Sequence, residues 1–178
     1  MTVQLRPWSP ADAPALLAAR RSTPDLSRQF SGVEIADEAQ AADHIATVLR
    51  SDSSTRNWAV VEDGVAVGNV GLAAIEYRHG TAWAYYWLTD HVRGRGLAAD
   101  GLRAVARWAF AVGLFRLELG HRLDNPASCR VATAAGFAVE GTERQKLRYG
   151  DERFDVETHA RLATDPVAAA RALPMIGG

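Results

Sequence analysis

The stretch Trp87–Ala98, WLTDHVRGRGLA, decides the fold of this chain. An apolar strand ends at Leu88, a turn with two arginines and two glycines follows, and a long amphipathic helix begins near Gly96. This arrangement places free backbone N–H groups, the positive end of a helix dipole and two guanidinium groups around one small volume, which favours a phosphate or pyrophosphate ligand. On its own, R-G-R-G is equally typical of a basic surface turn whose glycines allow tight geometry.

The patterns on either side of this turn predict a mixed sheet. Apolar residues alternate with polar ones or form short continuous runs in the strand segments, and they recur at helical spacing in the helical ones. The predicted order is β-α-α-β-β-β-α-β-α-β-β, an α+β fold in which about seven mostly antiparallel strands carry helices on both faces. The predicted strands are 3–6, 58–61, 65–72, 81–88, 115–121, 137–148 and 152–162, and the predicted helices are 9–21, 37–49, 96–112 and 125–135.

The helix 96–112 connects two strands that we expect to be parallel, because a helical crossover returns the chain in the same direction. Ligands at open sheets bind beyond the carboxyl ends of such neighbouring strands, where helices begin. The arginine–glycine turn is therefore predicted to form the mouth of a site between strands 81–88 and 115–121.

Local patterns give further expectations. Val48 is predicted on the buried face of the second helix, and residues 22–35 are predicted to be an exposed loop. In the long helix, Val112 is predicted on the buried face and Asp100 on the solvent face.

Length and composition suit one domain. The chain has 178 residues, of which 48% are hydrophobic, and we predict a single domain over 1–164 with a surface tail over 165–178. The net charge of −1 argues against nucleic-acid binding by the general surface. No apolar run reaches about 18 residues and no signal-peptide pattern opens the chain, so we expect a cytoplasmic protein with no membrane partner.

The cysteine content bears on metal binding. Cys129 is the single cysteine, which rules out a disulfide within the chain or a zinc site built from cysteines. We interpret it as small helical filler, and no metal is predicted.

Asn125 and Ser128 stand at i and i+3 at the start of the helix that follows strand 115–121. At this spacing both side chains can meet a ligand that lies between the two parallel strands. The alternative is that Asn125 and Pro126 only cap the helix and that Ser128 is a solvated residue of its first turn.

The turn, the pair N-x-x-S at 125–128 and the motif A-G-F-x-x-E-G at 135–141 occur in a specific order and spacing. With these motifs the chain resembles the GCN5-related N-acetyltransferases, and within them the branch that acetylates the N-termini of ribosomal proteins. The resemblance extends from LRPWSPADAPALLAAR to YGDERFDVETHARL, almost the whole chain. It implies the acyl-CoA N-acyltransferase fold, acetyl-CoA as co-substrate, and direct attack of a primary amine on the thioester in a ternary complex.

The resemblance also implies roles for individual residues. The pantetheine arm would pair with the backbone of Trp87, Leu88 and Thr89 and would be bonded by Asn125. Ser128 would lie near the sulfur, either as proton donor to the thiolate or only as a contact that fixes the cofactor. The pyrophosphate would be held by Arg93, Gly94, Arg95, Gly96, Leu97 and Ala98.

The general base is where the sequence departs from these relatives. Their glutamate position falls on Leu147 here. Glu118 and His121, on the strand beside the gap, are the candidate substitutes, and His121 has a suitable ordinary pKa. A strand carboxylate paired with an arginine and a structural histidine are the alternatives. Other candidates are Glu76, His79, Tyr86 and an ordered water.

The acceptor stays open between a protein N-terminus, a small amine and an aminoglycoside. The residues expected to contact it are Arg28, Phe30, Glu34 and Tyr85. Succinyl is an alternative acyl group, and the loss of the glutamate at Leu147 favours a catalytically silent acyl-CoA-binding regulatory module. Relatives of this kind are often dimers, so a homodimer is one assembly that the resemblance allows.

Overall fold

A computed structural model describes residues 1–29, 33–166 and 170–177, with the side chains of residues 28 and 29 left outside that description. Seven strands form one sheet, with helices on both faces. The strands are β1 (Val3–Arg6), β2 (Arg56–Glu62), β3 (Val65–Glu76), β4 (Thr81–Leu88), β5 (Arg116–Arg122), β6 (Ala138–Tyr149) and β7 (Glu152–Leu162). The helices are α1 (Ala13–Ser22), α2 (Leu26–Gln29), α3 (Glu38–Thr47), α4 (Leu97–Ala111) and α5 (Pro126–Ala134).

The strand order is β1-β2-β3-β4-β5-β7-β6, and every neighbouring pair is antiparallel except β4 and β5. The predicted α+β class, the strand count and the parallel crossover through α4 are thus confirmed. Because β4 and β5 are the central strands, the one parallel junction lies in the middle of the sheet.

Each face of the sheet is covered by its own apolar cluster. On one face, Leu102, Val105 and Ala106 of α4 belong to a buried cluster with Val70 and Ala84 from the sheet. On the other face, α1 and α3 form a second cluster that includes Trp87. The alternation of side chains along β4 sends neighbouring residues to opposite clusters, so β4 is covered on both sides. In the described part of the chain, no helix is long and apolar enough to cross a membrane.

Short polar side chains cap the starts of the first helices. Ser9 accepts a hydrogen bond from the backbone N–H of Ala11, and Asp37 accepts one from that of Gln40 at 2.8 Å. The interval 22–35, expected to be a loop throughout, contains the one-turn helix α2. Val48 follows the end of α3 and is 50% exposed, so its predicted burial is wrong.

The predicted faces of α4 are wrong at two residues. Asp100 is buried, and Val112, just beyond the last helical residue, is exposed. The reason is the C-terminal tail: Asp100 forms ion pairs with Arg103 and Arg171, and its carbonyl accepts a hydrogen bond from the N–H of Leu173. The tail covers the face of α4 that the sequence pattern assigns to solvent.

The tail itself pairs with the first strand. The N–H of Leu5 donates to the carbonyl of Pro174, and the N–H of Ile176 donates to the carbonyl of Leu5, both at 2.8 Å. Leu173 is buried in the cluster beneath α4. Residues 170–177 therefore pack on the domain instead of lying loosely on its surface.

Candidate functional site

The parallel strands β4 and β5 separate after three residue pairs. Their register runs from Thr81 opposite Arg116 to Trp83 opposite Glu118 and then ends, although both strands continue. The separation opens a cavity of about 370 Å³. Its lining residues are Asp25, Trp83, Ala84, Tyr85, Tyr86, Leu119, Gly120, His121, Arg122, Asp124, Asn125, Ser128, Leu147 and Tyr149.

The edge of β4 that faces this gap carries backbone groups that do not pair with β3. The N–H of Thr89 donates to the carbonyl of Val67 on β3, and antiparallel pairing alternates along a strand. The backbone groups of Leu88 and Tyr86 consequently point away from β3 and into the gap. Of the predicted trio Trp87, Leu88 and Thr89, only Leu88 therefore offers its backbone to a ligand, and Nε of Arg93 donates to its carbonyl at 3.0 Å.

The mouth of the gap is the start of α4. Gly94 and Gly96 adopt left-handed φ values of 75° and 80°, which L-residues with side chains rarely adopt. The first helical hydrogen bond joins the N–H of Asp100 to the carbonyl of Gly96. The N–H groups of the residues between them, including Leu97 and Ala98, lack helical acceptors, as an anion site requires.

Both arginines of the turn are already held by carboxylates. Arg93 pairs with Asp90 at 2.7 Å and with Asp25 at 3.1 Å, and Arg95 pairs with Glu62 at 2.5 Å. Exposed ion pairs are weak because water screens them. A pyrophosphate at the mouth would therefore replace these carboxylates as the partner of the guanidinium groups.

Asn125 and Ser128 lie on the opposite wall. Oδ1 of Asn125 accepts the N–H of Ser128 at 3.1 Å and caps α5, as the alternative interpretation expects, so only its NH2 group is left to donate to a ligand. The Ser128 hydroxyl interacts with the phenol of Tyr86 on β4. The α5 cap and the edge of β4 thus meet across the gap.

Tyr86 carries the buried hydroxyl of this wall. Burial raises the pKa of Tyr86 and the Ser128 hydroxyl offsets this only in part, so the phenol keeps its proton at neutral pH. Within the described residues, the phenol oxygen makes no hydrogen bond of regular geometry. Its proton can therefore turn toward a ligand.

The structure does not bring the two predicted bases to the gap in usable form. Glu118 stands at the last paired position of β5, is absent from the cavity wall, and is bound by Arg116 at 2.7 Å. His121 lines the cavity, but Nδ1 lies 2.9 Å from the carbonyl of Arg122 and Nε2 lies 3.0 Å from Nε2 of His159. Both ring nitrogens are thus engaged within the protein.

The predicted acceptor residues are placed unevenly. Tyr85 lines the cavity, and its hydroxyl donates to Oδ1 of Asn57 at 2.7 Å. Glu34 is exposed and is not on the cavity wall. Arg28 belongs to α2, with its side chain outside the described part of the structure, and Phe30 lies outside the described residues.

Two features escaped the sequence reasoning. Asp25, from the predicted loop, reaches the cavity wall and holds Arg93. Cys129, interpreted as filler for want of a paired histidine, lies with His121, Glu157 and His159 in one cluster. No pattern in the sequence joins these residues, because they come from β5, β7 and α5.

A gap between two diverging parallel strands, with a helix N-terminus at its mouth, has the geometry that suits an extended ligand bearing phosphates. Residues 2–138 match the acetyltransferase (GNAT) domain family, which is more than half of the chain. The chain belongs to this family.

Known relatives agree with this assignment. A ribosomal-protein-serine acetyltransferase of Escherichia coli is 28% identical over 116 residues, a match that spans 65% of this chain and 65% of that protein. The probable N-acetyltransferase YjcK of Bacillus subtilis is 26% identical over 173 residues, 92% of this chain and 96% of that protein. A solved structure of RimL, a ribosomal L7/L12 alpha-N-protein acetyltransferase in complex with coenzyme A, superposes with a TM-score of 0.80 at 22% identity, covering 91% of this chain and 94% of that one.

Proposed function

We propose that this protein transfers an acetyl group from acetyl-CoA to a primary amine, by direct attack of the amine within a ternary complex. The observation that carries the proposal is the separation of β4 from β5 beyond Trp83 and Glu118, with the start of α4 at its mouth. Membership of the acetyltransferase family and the relative solved with coenzyme A support it.

The donor would lie in the gap as an added strand. The outward backbone groups of Leu88 and Tyr86 suit the amides of pantetheine, because strand addition satisfies both partners. The NH2 group of Asn125 donates from the other side. The pyrophosphate rests on Gly94–Ala98 and draws Arg93 and Arg95 from their carboxylate partners.

The chemistry needs hydrogen-bond donors at two positions, the oxygen of the thioester carbonyl and the sulfur of the leaving thiolate. Attack on the thioester carbonyl creates an oxyanion, which an outward N–H of β4 stabilises. Collapse of the tetrahedral intermediate breaks the carbon–sulfur bond and leaves a thiolate, to which Ser128 and the protonated phenol of Tyr86 donate. Tyr86 thereby joins Ser128, the donor expected from the sequence.

The amine's own proton would leave through water. Each of the two carboxylates in the described cavity wall, Asp25 and Asp124, is bound by an arginine, and Leu147 stands where the family's glutamate would be. Glu118 and His121 are engaged elsewhere, as described above. The rate should then rise with pH until the amine itself is neutral, and the profile should shift when the amine's pKa is changed.

The acceptor would enter from the side lined by aromatic and apolar groups. Trp83, Tyr85, Leu147 and Tyr149 line this part of the cavity, and the ring of Trp83 lies 5.2 Å from Nζ of Lys146. These walls favour an acceptor with an apolar part next to its amine. A protein N-terminus fits this better than a polyamine or an aminoglycoside does.

Thiol release with a panel of acceptors tests the proposal. The panel contains peptides with N-terminal serine or alanine, small polyamines and aminoglycosides, each with acetyl-CoA and with succinyl-CoA, and mass spectrometry identifies the product. Acetylated peptide is the expected result. Activity confined to polyamines would overturn the choice of acceptor.

Leu147 favours a second candidate, an acyl-CoA-binding module without activity. It predicts acetyl-CoA binding by calorimetry and no thiol release above hydrolysis with any amine, whereas the enzyme shows both. A homodimer and a cytoplasmic location also belong to the proposal, and light scattering after size exclusion measures the first.

A further inference from the structure

Four potential metal ligands meet behind the cavity wall. His121 on β5 stands directly opposite Glu157 on β7, and His159 follows two residues along on the same face of β7. Cys129 on α5 completes the cluster, and one ligand atom from each residue lies within 4.8 Å of the others. The two histidines are buried, and Cys129 and Glu157 are partly exposed.

The ligand atoms of three of these groups, His121, Glu157 and His159, lie within 3.3 Å of one another. The carbonyl of Arg122 accepts a hydrogen bond from Nδ1 of His121. This bond holds the ring proton on Nδ1 and leaves Nε2 unprotonated, with a lone pair that can bind a metal ion. Nε2 of His159 lies 3.0 Å from that atom and 3.0 Å from Oε1 of Glu157. A positive centre, either a proton or a metal ion, has to lie among them.

The ring of His159 has no other polar anchor. It is 1% exposed, and its buried Nδ1 has no hydrogen-bond partner within the described residues. Among the residues that the structure describes, this ring makes its polar contacts through Nε2, toward His121 and Glu157. The ring is thus oriented entirely by the cluster.

The spacing of the donors suits a tetrahedral ion. Ligands about 2.0 Å from zinc lie about 3.3 Å apart along each tetrahedral edge. The observed separations are 3.0 Å between the two Nε2 atoms, 3.0 Å from His159 to Glu157 and 3.3 Å from His121 to Glu157. A thiolate at about 2.3 Å from zinc would stand about 3.6 Å from the other ligands. Sγ of Cys129 lies within 4.8 Å of their ligand atoms.

We propose that His121, Cys129, Glu157 and His159 bind a divalent transition-metal ion, with Zn²⁺ as the ion whose preferences match two imidazoles, a thiolate and a carboxylate. Binding replaces the thiol proton of Cys129 and leaves the single proton of each imidazole on Nδ1. The proposal departs from the expectation that no metal is bound. A single cysteine rules out only a site built from cysteines, and the other three ligands here are two histidines and a glutamate.

The metal site adjoins the acetyl-transfer cavity but shares none of its proposed donors. His121 lines the cavity and also belongs to the metal cluster, whereas Ser128 and Tyr86 face only the gap. Metal binding is therefore measured without reference to activity, and failure of either proposal leaves the other standing.

Titration of chelator-treated protein with Co²⁺ tests the site. We expect one ion per chain, visible absorption of tetrahedral Co²⁺ and a near-ultraviolet thiolate-to-cobalt band, all displaced by Zn²⁺. Cys129→Ser should remove the thiolate band while weaker binding persists. His159→Gln should weaken binding at least about 100-fold, the upper end of the loss seen for outer-shell partners.

The control is His79→Gln, which changes an exposed histidine in the turn between β3 and β4 and should bind as the unchanged protein does. Thermal unfolding with and without Zn²⁺ adds a second readout, because an ion that binds only the folded state raises Tm. If His159→Gln unfolds, Cys129→Ser still decides the question through its spectrum. Equal Co²⁺ spectra for Cys129→Ser and the unchanged protein, or no saturable binding at all, would overturn the proposal and assign a proton to the cluster.

Discussion

At the scale of single residues, the hydroxyl of Tyr86 is the group with the most direct bearing on the chemistry. It is buried, protonated and next to Ser128 at the wall of the gap. Tyr86→Phe should lower kcat by roughly 10- to 100-fold with little change in KM for acetyl-CoA, because the lost donor acts on the developing thiolate. Steady-state kinetics with both substrates measures this.

Tyr85→Phe is the matched control. This hydroxyl also belongs to the cavity wall but is occupied by Asn57. Its removal should cost stability and leave kcat nearly unchanged. Equal kcat losses in both variants would show that the cavity needs phenols in general and that Tyr86 has no special role.

Gly96 adopts a left-handed conformation at the mouth of the gap. Its φ of 80° places it in the left-handed region, where a side chain costs about 1 kcal/mol or more. Gly96→Ala should lose about that much stability and raise KM for acetyl-CoA several-fold, because the turn that presents the N–H groups relaxes. Gly64→Ala, at φ 90° in the β2–β3 hairpin, should show the stability loss without the change in KM.

At the scale of elements, carboxylates and the expected pyrophosphate compete for the two arginines at the start of α4. Glu62 on β2 holds Arg95 through two hydrogen bonds. Arg95→Gln should raise KM for acetyl-CoA with kcat unchanged, and its KM should depend less on salt concentration. Glu62→Gln should do the reverse and lower KM, since it frees the guanidinium. A rise in KM in both variants would mean that Glu62 positions Arg95 for the ligand.

The elements themselves could be predicted, and their contacts could not. The apolar, aromatic-rich run of Thr81–Leu88 and the helical spacing in Leu97–Ala111 are local signals, so β4 and α4 were predicted to within a residue or two. The burial of Asp100 depends on a tail more than sixty residues away. The meeting of His121 with His159 depends on the register of β5 against β7, which no local pattern contains.

In the candidate site, too, some residues could be predicted from local sequence and others could not. The turn from Arg93 to Ala98 and the pair Asn125 and Ser128 were predicted from motifs. By contrast, the point at which β4 and β5 separate depends on the folded sheet. This point decides that Tyr86 lines the cavity and that Glu118 does not.

At the scale of the whole molecule, the C-terminal tail connects the two ends of the chain to the helix that opens the site. Residues 173–176 bond to the edge of β1 and to the backbone of Asp100 in α4. The position of α4 therefore depends on contacts far from the gap. Stability and donor binding should consequently be coupled through this helix.

Leu173 is the residue that tests this coupling. It is 3% exposed and packs beneath α4, so Leu173→Ala should cost about 2–4 kcal/mol in the free energy of unfolding measured by urea denaturation. Ile176→Ala, at a residue 53% exposed on the same tail, should change it by less than about 0.5 kcal/mol. Saturating coenzyme A should raise the unfolding midpoint of both variants, because the ligand binds only the folded state. A Leu173→Ala variant as stable as Ile176→Ala would mean that the tail rests on the domain without holding α4 in place.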